Sequence, residues 1–123
     1  MDPISNKKDF EDLTTNLRDL AYSYIEKYSP SKQQVKTYLL KKYLKKFQGS
    51  NSKRDISAII DKIVLNLEKN RLIDDRLYSD SKSRVFLRRG YSINKIGIAL
   101  RTKGIGSENI KLSIKKLKED KPD

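Results

Sequence analysis

The segments Leu72-Ile73-Asp74-Asp75-Arg76-Leu77-Tyr78, Arg88-Arg89-Gly90-Tyr91-Ser92 and Lys103-Gly104-Ile105 decide the fold of this 123-residue chain. The aspartates of the first segment favour the positive end of a helix, and the arginines of the second favour its negative end. Gly90 predicts the end of that helix and Ser92 the start of the next, which the glycine of the third segment ends. Two consecutive helices are therefore predicted here.

An upstream segment repeats this pattern more faintly. The residues Ser31, Val35, Leu39 and Lys42 recur 61 positions later as Ser92, Ile96, Leu100 and Lys103. Further along, Ile56 matches Ile110 at an offset of 54, so the first copy carries extra residues, which fall in the loop around Gly49. A helical unit that recurs at a nearly fixed offset predicts a tandem array.

Helical periodicity and capping signals complete this prediction. An apolar stripe from Leu13 ends before Pro30, and Ser31 with Gln34 forms a capping box for a second helix that runs to about Phe47. A third helix is predicted from about Asp55 to Lys69, with Asn70 ending it in the left-handed conformation, and a sixth begins at Ser107. The apolar spacing places Leu44 on the inner face of the second helix. It also predicts a core of the first repeat in which Ile56, Ile60, Ile63 and Leu67 pack against Leu17, Leu20, Tyr24 and Leu39. The predicted fold is all-α, an elongated array of two three-helix repeats. The segments are a polar N-terminal segment (1–12), a first repeat (13–70), a second repeat (71–118) and a frayed tail (119–123).

Composition argues against catalysis. The chain has no Cys and no His, which removes the thiolate nucleophile, the commonest general base and the commonest metal ligands. The pair Asp74-Asp75 is interpreted as a helix cap rather than a metal or acid–base site, because no third carboxylate accompanies it. No apolar run approaches the length of a membrane span, so we expect a cytoplasmic protein with no cofactor.

Positive charge is concentrated in two windows. The net charge is +12, yet residues 27–54 and 81–107 contain 16 basic residues and no acidic one. A charged helix face is usually only solvated, but segregation of sign over two equivalent segments favours binding to nucleic acid or to an acidic protein surface.

The segments quoted first also carry a family resemblance. The double aspartate with a following aromatic residue, the Arg-Arg-Gly-aromatic-Ser turn, the Ile96 and Leu100 spacing and the terminal Lys-Gly-Ile resemble the RecX family over roughly 13–117. Ser31, Val35, Leu39 and Lys42 resemble the first repeat of that family. The chain departs from the family pattern in having two repeats where members often have three, and Tyr43 and Asn70 where glycine is usual.

The resemblance implies a non-enzymatic regulator of the RecA recombinase. Such a protein lies in the groove of the RecA–single-stranded-DNA filament, blocks strand exchange, slows ATP hydrolysis and reduces the coprotease activity of the SOS response. Its partners would be the RecA filament and single-stranded DNA, with no membrane, and it would be a monomer. The candidate contact residues are Arg84, Arg88, Arg89, Tyr91, Lys95, Arg101, Lys103, Lys41, Lys42, Lys45 and Lys46.

Two other functions fit the sequence. Residues 92–117 have the helix and turn lengths of a DNA-binding helix-turn-helix. The second helix, however, has no Arg or Gln for bidentate base contacts, and its candidate contact residues are Glu108, Asn109, Lys111 and Lys115. A nonspecific nucleic-acid-binding protein would need only charge and stacking. Tyr24, Tyr28 and the equivalent Tyr78 are predicted to pack in the core, whereas Tyr91 is the tyrosine predicted to contact a partner.

Overall fold

A computed structural model of the chain describes residues 7–46 and 53–120. These residues form six α-helices and no strand, which confirms the all-α prediction. The helices are α1 (Lys7–Tyr28), α2 (Lys32–Lys46), α3 (Lys53–Lys69), α4 (Asp75–Arg88), α5 (Ile93–Thr102) and α6 (Ser107–Glu119). α1 begins six residues before Leu13, within the segment predicted to precede the first repeat. The loop predicted around Gly49, and Phe47 at the predicted end of α2, lie outside the described residues.

The chain divides into two compact units, Met1–Ile73 and Asp74–Asp123. The first unit holds α1, α2 and α3, and the second holds α4, α5 and α6; within each unit every helix packs against the other two. We describe each unit by itself.

The core of the first unit is aliphatic. Its buried residues are Leu13, Leu17 and Ala21 of α1, Val35, Leu39 and Tyr43 of α2, Ile56, Ile59, Ile60, Ile63, Val64 and Leu67 of α3, and Ile73. Leu44, which the sequence placed on the inner face of α2, is 45% exposed. The inner face instead follows a spacing of four residues from Val35, and a residue next to Tyr43 therefore lies about 100° away from it.

The second unit has a smaller apolar core, formed by Tyr78, Ile96, Leu100, Ile105, Ile110 and Leu117. A buried polar network joins α4 to α6 beside it. The Ser113 hydroxyl donates to Asp80 Oδ1 over 2.7 Å and lies 2.6 Å from the Ser79 hydroxyl. Arg76 Nε donates to both carboxylate oxygens of Asp80 at 3.2 Å, and Lys116 Nζ lies 3.8 Å from Oδ2. These hydrogen bonds give the buried polar groups partners, and without partners their burial would destabilise the folded chain.

Several predicted helix ends are present. Ser31 and Gln34 form the reciprocal capping box, at 2.9 and 3.2 Å, and Asp74 accepts the amide of Leu77 at 3.0 Å. Ser92 caps α5 in the same way, accepting the Lys95 amide. At the start of α6, Ser107 is already helical and Gly106 occupies the N-cap position without a side-chain hydrogen bond.

The end of α3 differs from the prediction by one residue. Arg71, not Asn70, adopts the left-handed conformation, with φ 61°. The amide of Leu72 bonds to the carbonyl of Leu67, and the amide of Arg71 to that of Glu68, which is the hydrogen-bond pattern of a Schellman motif. The hydrogen-bond register thus places the reversal after Asn70.

Candidate partner-binding surface

Four of the predicted contact residues lie around the connection between α4 and α5. Arg88 is the last residue of α4, Arg89 is its C-cap, Tyr91 lies in the connection and Lys95 lies in the first turn of α5. The three cations are exposed, and Lys95 Nζ lies 4.1 Å from the centroid of the Tyr91 ring. We call Arg88, Arg89, Tyr91 and Lys95 the α4–α5 corner.

The chain turns at this corner because Gly90 adopts φ 89°. The amide of Tyr91 bonds to the carbonyl of Phe86, and the two rings stack with centroids 5.0 Å apart and planes 3° from parallel. An apolar contact between these two positions frequently accompanies a Schellman motif. Tyr91 therefore helps to end α4, and this structural role accounts for its conformation without a partner.

Two further candidates lie at the opposite end of α5. Arg101 is in its last turn and Lys103 is its C-cap, and both are exposed. Because a helix rises 1.5 Å per residue, Arg101 lies about 9 Å along the axis from Lys95. The structure therefore separates Arg101 and Lys103 from the α4–α5 corner along this helix.

Arg84 lines a recess that includes two acidic residues, whereas Arg88 does not line it. The recess is small and lies between α4 and α6, where Asp80, Lys116 and Asp120 also line it. Nearby carboxylates reduce the attraction of a cation for phosphate or for an acidic protein surface. Arg88, one helical turn further along α4, is for this reason the stronger candidate of the two.

In the first unit the candidates lie on α2. Lys41, Lys42 and Lys45 are exposed, and Lys41 and Lys45 share a face because they are one turn apart. Lys42 Nζ lies 5.5 Å from the centroid of the Tyr38 ring. Lys46 belongs to α2, but its side chain lies outside the described part of the chain.

Folding compensates part of the first basic window. Lys32 pairs with Glu68 at 3.5 Å, and Lys36 pairs with Asp61 at 3.2 Å. Both carboxylates belong to α3. Folding therefore brings acidic side chains next to a sequence window that contains none. Within residues 53–120, by contrast, Arg84, Arg88, Arg89, Lys95 and Arg101 form no ion pair. The positive charge of these five residues, which form no ion pair within residues 53–120, is thus the clearest electrostatic feature among the candidates.

The tyrosines divide differently from the prediction. Tyr78 is buried and Tyr24 is partly buried against the core, as predicted, but Tyr28 is 58% exposed. Tyr28 is the last residue of α1, and Ile25 of the same turn packs against the core. Helical periodicity indicates which side of a helix a residue occupies, but it does not show how much of each ring the neighbouring helices cover.

The described residues contain no group of three or more His, Cys, Asp or Glu side chains placed to hold a metal ion. Among the same residues, no helix combines the length and the apolar character needed to cross a membrane.

Comparison with known proteins gives one informative similarity. The chain is 29% identical over 96 residues to the regulatory protein RecX of Myxococcus xanthus (strain DK1622). The match covers 76% of this chain and 51% of the relative, so the chain spans about half the length of the curated protein it matches. No protein-family profile matches, and no solved structure does. The similarity supports membership of the RecX family and agrees with the motifs described above.

Proposed function

We propose, from this relationship to RecX, that the chain is a non-enzymatic regulator of the RecA recombinase acting in the cytoplasm. It binds the RecA–single-stranded-DNA filament and mainly inhibits strand exchange, ATP hydrolysis and coprotease activity. The observation that carries the proposal is the exposed positive charge of the α4–α5 corner, which has no acidic partner in the described residues. A filament presents phosphate and acidic protein groups, and both attract such a surface.

The two units support attachment at more than one point. The first unit exposes Lys41, Lys42 and Lys45, and the second exposes the α4–α5 corner and Arg101. A filament repeats the same surface along its length, so a chain with two basic surfaces gains affinity from the high effective concentration of the second contact. Removing one surface should therefore cost more inhibition than the loss of a single weak contact.

The test is the combined substitution of Arg84, Arg88, Arg89 and Lys103 by Ala. We expect suppression of RecA ATPase and strand exchange to fall substantially, at least about tenfold in the protein concentration required, because several charge contacts are lost together. The apolar cores do not include these side chains, so the helix content and thermal melting of the variant should stay close to those of the original chain.

A matched control removes four exposed cations outside the two windows, Arg18, Lys62, Lys69 and Lys118. This control should retain suppression at physiological salt. Full retention by the first variant as well would rule out the proposed placement of the contact surface. A third variant, with Asn109, Lys111 and Lys115 replaced by Ala, tests the helix-turn-helix alternative, which predicts that these residues dominate and that one DNA sequence is preferred.

A further inference from the structure

Three tyrosine rings contact one another where α1 meets α2. Tyr24 stacks on Tyr38 with centroids 4.1 Å apart and planes 12° from parallel, and Tyr28 lies 5.1 Å from Tyr24 at a tilt of 49°. Tyr24 and Tyr38 pack against the core of the first unit, whereas Tyr28 remains largely exposed. The inner two rings thus anchor the group, and the outer ring offers aromatic surface to solvent.

Cations border the same rings. Lys27 Nζ lies 5.3 Å from the centroid of Tyr28, and Lys42 Nζ lies 5.5 Å from that of Tyr38. Glu26 is close in sequence, but two residues along a helix correspond to about 200° of rotation, so it lies on another side of α1 from Tyr28. An exposed ring with one ammonium group beside it and a second beside the neighbouring Tyr38 ring suits a ligand that combines a flat π surface with negative charge.

Backbone hydrogen bonds hold the main chain that carries the exposed ring. Tyr28 ends α1, and the amide of Ser29, which has φ 45°, donates to the carbonyl of Ile25 at 2.9 Å. Pro30 and Ser31 are buried, and Ser31 is held in the capping box of α2. A ring on a rigid corner loses little conformational entropy when it binds a ligand.

The corresponding corner of the second unit does not offer a ring of this kind. There Tyr91 is partly buried and stacks on Phe86, and Lys95 lies closer to its ring, at 4.1 Å. The structure therefore favours Tyr28 over Tyr91 as the more open aromatic contact.

We infer that Tyr28, with Lys27 and Lys42 beside the tyrosine group, is a stacking site for the bases of single-stranded nucleic acid. Unpaired bases have the required flat π surface, and the adjoining phosphates supply the negative charge; in a duplex the faces of the bases are already stacked. DNA and RNA share this chemistry. The inference goes beyond the proposed function, because it assigns direct contact with bases to the first unit and does not require the recombinase.

The test compares binding of the full chain to two strands of equal length and charge. One is oligothymidylate of about ten nucleotides, and the other is an abasic strand with the same number of phosphates. Tyr28→Ala should weaken binding to oligothymidylate about fivefold or more and leave binding to the abasic strand unchanged, because only the first strand has bases to stack. Tyr28→Phe, which keeps the ring, should bind both strands as the original chain does.

Two controls separate stacking from general surface changes. Tyr22→Ala removes another exposed tyrosine of α1, 42% exposed and outside the stacked group, and should leave both affinities unchanged. Tyr28→Leu keeps an apolar side chain without a π face and should behave like Tyr28→Ala. Oligouridylate of the same length shows whether the site discriminates RNA from DNA, since equal losses on both strands mean that the base stack alone is recognised.

Equal affinity of the original chain for the two strands would overturn the inference. So would an unchanged preference for bases in Tyr28→Ala, or an equal loss on the abasic strand. No recombinase is present in these measurements, so such a result leaves the proposed RecA regulation standing. The quadruple Ala variant tests the proposed RecA regulation separately, and its result does not depend on Tyr28.

Discussion

Arg71 adopts the left-handed backbone conformation at the end of α3. This conformation is unfavourable for any residue with a Cβ atom. The turn after α4 places glycine at the left-handed position, Gly90 with φ 89°, and the turn after α5 does the same with Gly104 at φ 84°, where the amide of Ile105 bonds to the carbonyl of Leu100. Arg71 occupies the same position with φ 61°. A left-handed L-residue costs roughly 1–2 kcal/mol, and glycine avoids that cost.

Replacing Arg71 with Gly should therefore stabilise the first unit by up to about 1 kcal/mol, since the greater freedom of glycine in the unfolded chain cancels part of the gain. Urea unfolding of the full chain measures the difference. Asn70→Gly is the matched control and should destabilise the unit, because Asn70 has a negative φ and its side-chain amide donates to Asn66 Oδ1 at 3.3 Å. A gain from Asn70→Gly with none from Arg71→Gly would contradict this position for the end of α3.

The folded environment of Asp80 alters the pKa of its carboxyl group. Burial would raise the pKa of its carboxyl group, but the hydrogen bond from Ser113, the hydrogen bond and charge of Arg76 and the charge of Lys116 outweigh burial and lower it. A carboxyl group with a lowered folded-state pKa adds stability above its unfolded-state pKa, and this stability is lost as the pH falls through the folded-state value.

Asp80→Asn should lower the free energy of unfolding by about 1–3 kcal/mol at neutral pH, because it removes the charge that three neighbours satisfy. The difference between the two proteins should stay constant above the ordinary carboxyl value of 3.8 and shrink as the pH falls below it. Urea unfolding of both proteins at neutral and acidic pH measures this difference. A difference that grew towards acid pH would mean that the carboxylate is not stabilised by these partners.

At the scale of elements, α3 organises the first unit because one side of it is buried along most of its length. Its aliphatic residues pack against both α1 and α2, and Ile60 is 3% exposed near the middle of that side. Of the residues that the sequence placed opposite it, Leu17 and Leu39 belong to the same buried cluster, and Leu20 and Tyr24 pack against that cluster. The predicted helix face is therefore confirmed.

Ile60→Ala should cost about 2–5 kcal/mol, since it removes buried methyl and methylene groups and leaves a cavity. The matched control is Leu65→Ala on the same helix, where the leucine is 64% exposed and the cost should stay within about 0.5 kcal/mol. Thermal melts and urea titrations of both variants give the comparison. Equal stability of the two variants would show that this side of α3 is not the core side.

At the scale of the whole molecule, the net charge is +12, and only some of the described basic side chains form ion pairs with acidic ones. Lys32 and Lys36 form ion pairs with carboxylates of α3, while the cations of the α4–α5 corner form no ion pair with the described residues. Binding to a single strand should therefore depend steeply on salt, because each phosphate contact releases counterions.

If about five cations contact phosphate, the logarithm of the binding constant should fall with the logarithm of the salt concentration at a slope near −3.5 for single strands. Ala at both Arg88 and Arg89 should reduce the magnitude of that slope by about 1.4, whereas Ala at Lys62 and Lys69 on α3 should leave it unchanged. Anisotropy titrations across a range of salt concentrations measure the slopes. A flat dependence in the original chain would mean that the basic surfaces are only solvated.

The sequence alone predicted the helical class, most helix starts and the aliphatic core of the first unit. These features depend on local chemistry: Ser31 with Gln34 and Asp74 cap helices through bonds to amides three residues away, and periodic isoleucines mark the buried side of α3. The RecX resemblance rested on the same local signals and agrees with the comparison.

Only the tertiary structure decided which charges and rings remain available to a partner. Lys32 and Lys36 form ion pairs with carboxylates of α3 that are 36 and 25 positions away in the chain, respectively. Tyr28 stays 58% exposed although Ile25 of the same turn packs against the core, and Tyr91 stacks on Phe86 beside the turn at Gly90. Charge compensation and exposure depend on residues distant in sequence, and a local pattern contains no information about which of them will meet.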